Sequence, residues 1–246
     1  MKNRFISIIF LSFIALSSIL FFILAFVIWL FTFLFDRRLV LLHLYSSFWA
    51  SLYLWIMPAW SVSVKGRNKY KKKTTYMLVS NHQSQLDILV AFSLFLPFKW
   101  VSKAEIFRIP FIGWNMVLNR YIKLKRGNKE SIKKMMDDCE KMISEGNSIY
   151  FFPEGTRSKN GIIKPFKTGA FILAKKMKIP ILPIAISGTT NALPKHSLNF
   201  HGHHKISIEV LDEVPYEKFK DLSSEETGEF IRRIIAEQVD EHTESI

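Results

Sequence analysis

Two residues with the chemistry of a base and its orienting partner, His82 and Asp87, lie five positions apart in the stretch 80–87, SNHQSQLD. Within a single helix, that spacing would turn the two side chains about 140° apart. They can meet only if His82 lies in a loop after a strand and Asp87 lies in the first turn of the following helix. An imidazole held by a carboxylate is suited to remove the proton of a hydroxyl group near neutral pH.

The same stretch also has a purely structural interpretation. Ser84-x-x-Asp87 matches a capping box, in which the carboxylate accepts an unpaired backbone N–H at the start of a helix. His82 would then be a loop histidine without a chemical role. The eight residues alone leave both interpretations open.

A second polar cluster, Glu154-Gly155-Thr156-Arg157, follows the apolar strand pattern of residues 148–152. Polar residues and glycine at the end of a buried strand are where α/β domains place ligand sites. Gly155 lets the backbone approach a ligand closely, and Arg157 offers a planar fork matched to phosphate or carboxylate. Alone, the cluster could also be a surface turn with a salt bridge between Glu154 and Arg157.

The two clusters together carry a family resemblance. Asn81-His82-x-x-x-x-Asp87 is followed about seventy residues later by FPEGTRS at 152–158. Two further stretches match in order: VSKAEIFRIPFIGW at 101–114 with YIKLKRG at 121–127, and IPILPIAI at 179–186. Over about residues 73–188 the chain resembles the 1-acyl-glycerol-3-phosphate acyltransferase family. It departs from the pattern at Lys125, where the family usually has Asp before the arginine matched here by Arg126.

The resemblance implies an enzyme that transfers a fatty acyl group from a thioester to the sn-2 hydroxyl of 1-acyl-glycerol 3-phosphate, giving phosphatidic acid. It implies that His82 is the general base and that Asp87 fixes its tautomer. It further implies that Lys103, Arg157 and Arg126 hold the substrate phosphate. Glu154, Gly155 and Thr156 would shape that phosphate pocket.

The implied co-substrate is acyl-CoA or acyl carrier protein, with no cofactor and no metal. The histidines of HGHH at 201–204 lack an accompanying Cys or spaced carboxylate, so a turn before the next strand is the better interpretation. One alternative keeps the chemistry with another lysophospholipid or a lyso-aminolipid as acceptor. An alternative of another class is a non-catalytic membrane protein that binds anionic lipid.

The elements that must position these residues alternate along residues 65–246. Strand patterns fall at 75–80, 98–102, 119–124, 148–152, 181–186 and 205–211, and helical patterns fall at 84–94, 109–117, 129–144, 168–177 and 224–242. The alternation predicts an α/β domain with a central, mostly parallel or mixed sheet flanked by helices. Cys139 falls at helical spacing among apolar residues, so we expect a packed core residue rather than a nucleophile.

The first 64 residues are predicted to form a two-helix membrane anchor. Residues 5–35 contain no charge, Gly or Pro, and a bilayer core needs about 20 apolar residues to be crossed as a helix. A second apolar stretch, 39–64, is rich in Trp and Tyr, which suit the membrane interface. A hairpin that spans twice and a monotopic pair both remain open.

Charge favours a membrane surface as partner. The net charge is +13, and six cations stand in the nine residues from Lys65 to Lys73, directly after the apolar segments. Such a cluster attracts anionic lipid and places the following domain on the cytoplasmic face of a membrane, the inner membrane in a bacterium. Zinc-finger, RRM and basic-zipper patterns are lacking, so we do not expect nucleic acid as a partner.

Overall fold

The protein is described from a computed structural model, which covers residues 2–158, 162–193 and 202–244. The strands are β1 Trp60–Lys65, β2 Met77–Ser80, β3 Lys99–Lys103, β4 Ile122–Leu124, β5 Ile149–Phe151, β6 Ile181–Ser187 and β7 His204–Val210. The helices are α1 Lys2–Thr32, α2 Val40–Trp55, α3 Leu86–Phe92, α4 Ile112–Leu118, α5 Lys129–Ser144, α6 Gly169–Met177, α7 Thr189–Ala192 and α8 Ser224–Glu244.

The seven strands form one sheet in the order β1-β7-β6-β2-β5-β3-β4. Neighbouring strands run parallel except β6 and β7, which are antiparallel, so β1 and β7 run against the other five. The expected α/β fold with a mixed, mostly parallel sheet is therefore confirmed. The central strand β2 lies between β5 and β6, and its four residues are all buried, as expected of a strand covered on both faces.

Helices cover both faces of the sheet and divide the core into two layers. Leu78 of β2 belongs to the layer shared with α2 and α3, whereas Met77 and Val79 belong to the layer shared with α5, α6 and α8. This is the period-two alternation of a strand. Cys139 is buried in the second layer, as expected, and burial raises the pKa of its thiol.

Strand β1 corrects the prediction for the second apolar stretch. Residues 60–64 do not continue a membrane segment; they pair with β7 in parallel register, from Trp60 beside His204 to Lys65 beside Glu209. The sequence WSVSVK alternates buried or half-buried residues with exposed ones, the pattern of an edge strand. That alternation begins directly after the turn at Pro58, but it was hidden inside a long apolar run.

Helix α2 packs on the α/β domain. Its 16 residues are about 24 Å long, shorter than a bilayer core. It buries polar side chains against the domain: His43 Nδ1 lies 2.8 Å from the Tyr121 hydroxyl, and Asn115 Nδ2 donates to Ser46 Oγ at 3.0 Å. Among the described residues, α1 is thus the one helix long and apolar enough to span a bilayer, and a monotopic pair of α1 and α2 stays a prediction.

Helix α1 contains the one span, Ile8–Thr32, that is long and apolar enough to cross a membrane among the residues the structure describes. Its inner side packs on α2 and α4, where Phe21 stacks on Trp49 and Phe22 meets Trp114 edge-on. Its outer side exposes a continuous apolar surface, including Leu16 at 69% and Phe31 at 71% exposure.

The turn between α1 and α2 is fastened to the domain by polar contacts. The Lys99 ammonium donates to the carbonyls of Arg38 at 2.7 Å and Asn119 at 3.0 Å. The Arg38 guanidinium donates in turn to the Gly146 carbonyl at 2.9 Å. Lys99 is 2% exposed, and burial lowers its pKa to about 7.

The basic stretch from Lys65 to Lys73 is partly engaged within the protein. Lys69 and Lys71 pair with Asp212 at 3.2 Å and Glu213 at 2.5 Å. Arg67 donates to the Ser93 carbonyl at 2.8 Å. The predicted attraction to anionic lipid therefore rests on the other three cations of the stretch, Lys65, Lys72 and Lys73.

Candidate active site

The two polar clusters meet at one edge of the sheet because β2 and β5 are parallel neighbours. His82 follows the end of β2, and Glu154 follows the end of β5. Asn81 fixes the first turn: its side chain donates to the Ile186 carbonyl at 2.8 Å and accepts the Ile186 N–H at 2.9 Å. These two hydrogen bonds join the loop to β6, so His82 is positioned by three adjacent strand ends, those of β2, β5 and β6.

His82 and Asp87 form the predicted pair. His82 Nδ1 lies 2.8 Å from Asp87 Oδ2, with His82 in the loop and Asp87 in the first turn of α3. The Asp87 side chain is fully buried, and the His82 side chain is 11% exposed. An ionised carboxylate can only accept, so Nδ1 is the donor of this bond, and in a neutral imidazole Nε2 then carries the lone pair.

Asp87 also acts at the start of α3 as the capping-box interpretation predicted. Its Oδ2 accepts the backbone N–H groups of Gln83 at 2.6 Å and Ser84 at 2.8 Å, which precede α3 and have no carbonyl partner within the helix. The Ser84 hydroxyl accepts the Leu86 N–H at 3.2 Å and donates to the Leu193 carbonyl at 2.6 Å. Capping and orientation of the histidine are therefore performed by the same carboxylate.

Glu154 supports the histidine from its backbone side. Its Oε1 accepts the His82 N–H at 2.7 Å, and its Oε2 accepts the Lys164 N–H at 3.1 Å. Glu154 is 5% exposed, and burial raises its pKa above the usual 4.5 against the opposing effect of these two donors. Within the described residues both carboxylate oxygens are thus taken by backbone donors and not by Arg157, so the surface-turn interpretation fails for Glu154.

An aromatic ring packs on one face of the His82 imidazole and limits its rotation. Phe152 stacks on it with ring centroids 4.1 Å apart and planes 22° apart. Trp100 stacks on Phe152 in turn, with centroids 5.4 Å apart and planes 18° apart. The Ser158 N–H closes the arrangement by donating to the His82 carbonyl at 2.9 Å.

A cavity of about 240 Å³ opens beside His82 between β3 and three helices. Its walls are mostly apolar and come from α2 (Trp49, Ala50), α3 (Ile88, Leu89, Phe92), α4 (Ile112, Met116) and β3 (Trp100). His82, Lys103, Arg126 and Gly155 line the same cavity. The arrangement can hold an aliphatic chain with its polar end next to an imidazole and two cations.

The predicted anion-binding residues fall into two groups. Lys103 and Arg126 line the cavity, with the Lys103 ammonium 3.5 Å from Glu105 and about half exposed. Thr156 and Arg157 lie on the turn after β5, where the Lys164 ammonium donates to the Thr156 hydroxyl at 3.1 Å and to the Arg157 carbonyl at 3.0 Å. Lys103 and Arg126 thus share the cavity with Gly155, whereas Thr156 and Arg157 are not among the residues that line it.

Gly155 has a conformation that only glycine adopts readily, with φ of +70°. A Cβ atom at this position would lie 2.9 Å from Cε and 3.0 Å from Nζ of Lys167. The missing side chain therefore lets the Lys167 ammonium rest against the backbone of the cavity wall.

Three contributors to the site were missed by the sequence analysis. Thr189 donates to Asp87 Oδ1 at 2.5 Å, Lys164 approaches from ten residues beyond Glu154, and α2 forms part of the cavity wall. A polar residue just after the predicted strand 181–186 was the available signal for Thr189. Nothing in the local pattern of α2 indicated a ligand cavity.

In the part of the chain that the structure describes, no group of three or more His, Cys, Asp or Glu side chains converges. His201 lies outside the described residues. His204 is the first residue of β7, and His203 precedes it.

Comparison with known proteins gives a family match and a fold match. The family model described as Acyltransferase matches residues 61–187, more than half of the chain. The chain is 38% identical over 180 residues to a chloroplastic 1-acyl-sn-glycerol-3-phosphate acyltransferase of Brassica napus, covering 72% of this chain and 52% of that protein. A 1-acyl-sn-glycerol-3-phosphate acyltransferase of Saccharomyces cerevisiae is 33% identical over 190 residues, covering 75% of this chain and 61% of that protein.

The fold resembles that of the crystal structure of the 1-acyl-sn-glycerophosphate (LPA) acyltransferase PlsC from Thermotoga maritima. The TM-score is 0.76 at 23% sequence identity, and the match covers 98% of this chain and 96% of that one. The chain spans about half the length of the plant relatives that it matches.

Proposed function

Since the chain belongs to the acyltransferase family, we propose that it transfers a fatty acyl group from an acyl thioester to the sn-2 hydroxyl of 1-acyl-glycerol 3-phosphate. The product is phosphatidic acid. The observation that carries the proposal is the His82–Asp87 pair on the wall of an apolar cavity that also contains Lys103 and Arg126. The names of the relatives, which specify this acceptor, add support.

His82 acts as general base in this proposal. Its Nε2 takes the proton of the acceptor hydroxyl while that oxygen attacks the thioester carbonyl carbon. Asp87 holds Nδ1 and stabilises the imidazolium that forms. When the carbon–sulfur bond breaks, the imidazolium returns its proton to the departing thiolate, so no acyl-enzyme is needed and the histidine is regenerated.

In this proposal the charged residues bind the phosphate and the apolar walls of the cavity bind an acyl chain. Lys103, Arg126 and Arg157 hold the phosphate of the acceptor, while Glu154, Gly155 and Thr156 shape the surrounding turn. The apolar walls contributed by α2, α3 and α4 accommodate an acyl chain. The thioester is acyl-CoA or acyl carrier protein, both of which are anionic partners suited to a chain of net charge +13.

We further propose that α1 attaches the enzyme to a membrane, with the catalytic domain on the cytoplasmic face. The exposed apolar surface of α1 and the three lysines Lys65, Lys72 and Lys73 support this placement. Acceptor and product are both lipids of the bilayer, so an active site at its surface receives one and releases the other without extracting either into water.

The test is acyl transfer by the purified full chain in detergent, with a panel of lysolipids and both classes of donor, read by mass spectrometry. We expect phosphatidic acid from 1-acyl-glycerol 3-phosphate, and we expect His82→Ala to lower the rate about 10²–10⁴-fold. Preference for another lysophospholipid or a lyso-aminolipid would overturn the acceptor. Full activity of His82→Ala, or binding of anionic lipid without any transfer, would overturn the mechanism.

A further inference from the structure

The segment after β6 contacts the loop that carries the base at three places. Thr189 Oγ1 donates to Asp87 Oδ1 at 2.5 Å, and Thr190 Oγ1 donates to Gln83 Oε1 at 3.2 Å. Ser84 Oγ donates to the Leu193 carbonyl at 2.6 Å. Gly188 makes the sharp entry possible with φ of +82°, and a Cβ there would lie 2.1 Å from the Lys205 carbonyl oxygen.

Thr189 differs from its neighbour because its partner is the carboxylate itself. Oδ2 of Asp87 accepts from His82 Nδ1 and two backbone N–H groups, whereas Oδ1 has the Thr189 hydroxyl as its hydrogen-bond donor in the described residues. Both Asp87 and Thr189 are fully buried. Without that hydroxyl, Oδ1 would be a buried charged oxygen without a donor, which is costly.

We propose that Thr189 is a positioning residue for the base: by holding Oδ1, it directs Oδ2 at His82 Nδ1. This inference rests on the proposed function of His82 and Asp87 and adds a third member to the pair. Thr189 touches no substrate in this scheme and acts only through Asp87. The required feature is a hydroxyl donor at this place, so serine should serve and a side chain without a strong donor should not.

Loss of the Thr189 hydroxyl should change the pH dependence of acyl transfer in one direction. A carboxylate that loses a hydrogen-bond donor binds a proton more readily and pairs more strongly with an imidazolium. Both changes remove the free base as the pH falls. The acidic limb of kcat/KM should therefore move to higher pH, by about one unit for the loss of one hydrogen bond to a charged group.

The experiment measures kcat and KM for acceptor and donor from pH 5 to 9 with full-length Thr189→Val, Thr189→Ser and Thr190→Val. Thr189→Val should lose about tenfold in kcat with little change in either KM, and its acidic limb should move upward. Thr189→Ser should restore both the rate and the limb. Thr190→Val, which removes a hydroxyl from the same short helix, should match the parent enzyme.

Thr189→Cys covers the case in which valine prevents folding. Cysteine and serine are close in size but differ in donor strength, so cysteine should behave like valine while folding like serine. Superposed pH profiles of Thr189→Cys and Thr189→Ser would overturn the inference. If the two profiles superpose and His82→Ala is inactive, only the role of Thr189 is wrong and the proposed function stands. If His82→Ala is active, the proposed function is wrong as well.

Discussion

Glu154 accepts the backbone N–H of His82 at 2.7 Å, although 72 residues of chain separate the two. The polar cluster after β5 therefore supports the loop after β2 directly, in addition to any contact that it makes with a substrate. Its second oxygen accepts the Lys164 N–H, so one buried carboxylate joins the His82 loop to the segment that follows the turn after β5.

Replacing Glu154 by glutamine should impair both folding and catalysis. An amide presents an NH₂ group to one of the two N–H donors, so one buried donor loses its acceptor. We expect a loss of about 1–3 kcal/mol in the free energy of unfolding. Acyl transfer should fall about 10²-fold through displacement of His82. Chemical denaturation and steady-state kinetics measure the two effects, with exposed Glu229→Gln as the control. Parent-like kinetics in Glu154→Gln would contradict the supporting role.

Comparing Gly155→Ala with Gly127→Ala should distinguish two effects of an added side chain, strain in the backbone and displacement of Lys167 at the site. Both glycines have positive φ, +70° and +76°, but a Cβ at Gly127 would have no atom within 4 Å, whereas one at Gly155 would meet Lys167. Each variant should lose about 1–2 kcal/mol of stability, since alanine tolerates this conformation poorly. Only Gly155→Ala should also lose acyl transfer. Equal activities in the two variants would mean that the position of Lys167 is irrelevant.

Methionine at Lys99 should remove part of the pH dependence of stability. The folded pKa is lowered to about 7 from 10.5, so between these values the unfolded chain holds a proton that the folded protein does not. The free energy of unfolding therefore rises with pH through this window, by up to about 1.4 kcal/mol per unit from this group. The neutral amine still has two N–H groups for the carbonyls of Arg38 and Asn119.

Unfolding measured from pH 6 to pH 10 should show that rise in the parent protein and a flatter curve in Lys99→Met. Lys176→Met is the matched control, because Lys176 is an exposed lysine paired with Glu140. Parallel curves for the parent and Lys99→Met would show that Lys99 stays protonated in the folded protein.

Alanine at Arg157 should weaken use of the phosphate-bearing acceptor more than it slows the chemical step. Loss of a hydrogen bond to a charged group is worth about 1.5–3 kcal/mol, so the KM for 1-acyl-glycerol 3-phosphate should rise at least about tenfold. Kinetics with varied acceptor at saturating donor measure this effect. Arg232→Ala removes a surface arginine paired with Glu229 and should change nothing. An unchanged KM in Arg157→Ala would assign the phosphate to Lys103 and Arg126 instead.

The sequence was informative where local pattern decides the structure. The spacing of His82 and Asp87 required a strand, a loop and a helix start in that order, and the structure has all three. Helix α5 begins and ends at the predicted residues because its apolar positions recur at helical spacing and Asn128 caps its first turn by accepting the Ser131 N–H.

Local sequence patterns could not predict contacts between distant segments of the chain. The bond from Thr189 to Asp87 spans 102 residues and depends on β6 lying beside β2. Strand β1 forms by pairing with β7, and Trp60 lies beside His204, 144 positions further along the chain. The short alternating pattern of β1 could not reveal that pairing, and the apolar run before it favoured a membrane segment. The cavity wall formed by α2 likewise exists only after the helix has packed on α3.

The fastening of the α1–α2 turn has a consequence for how the enzyme would meet lipid. Arg38 is held by Lys99 and in turn holds Gly146, while the other end of α1 packs on Tyr53 and Trp60 through Phe10. With α1 in a bilayer, the base would therefore sit at one constant depth, set by the fold and not by the reach of a linker. Lipids would then have to reach a stationary opening by sideways diffusion within the bilayer.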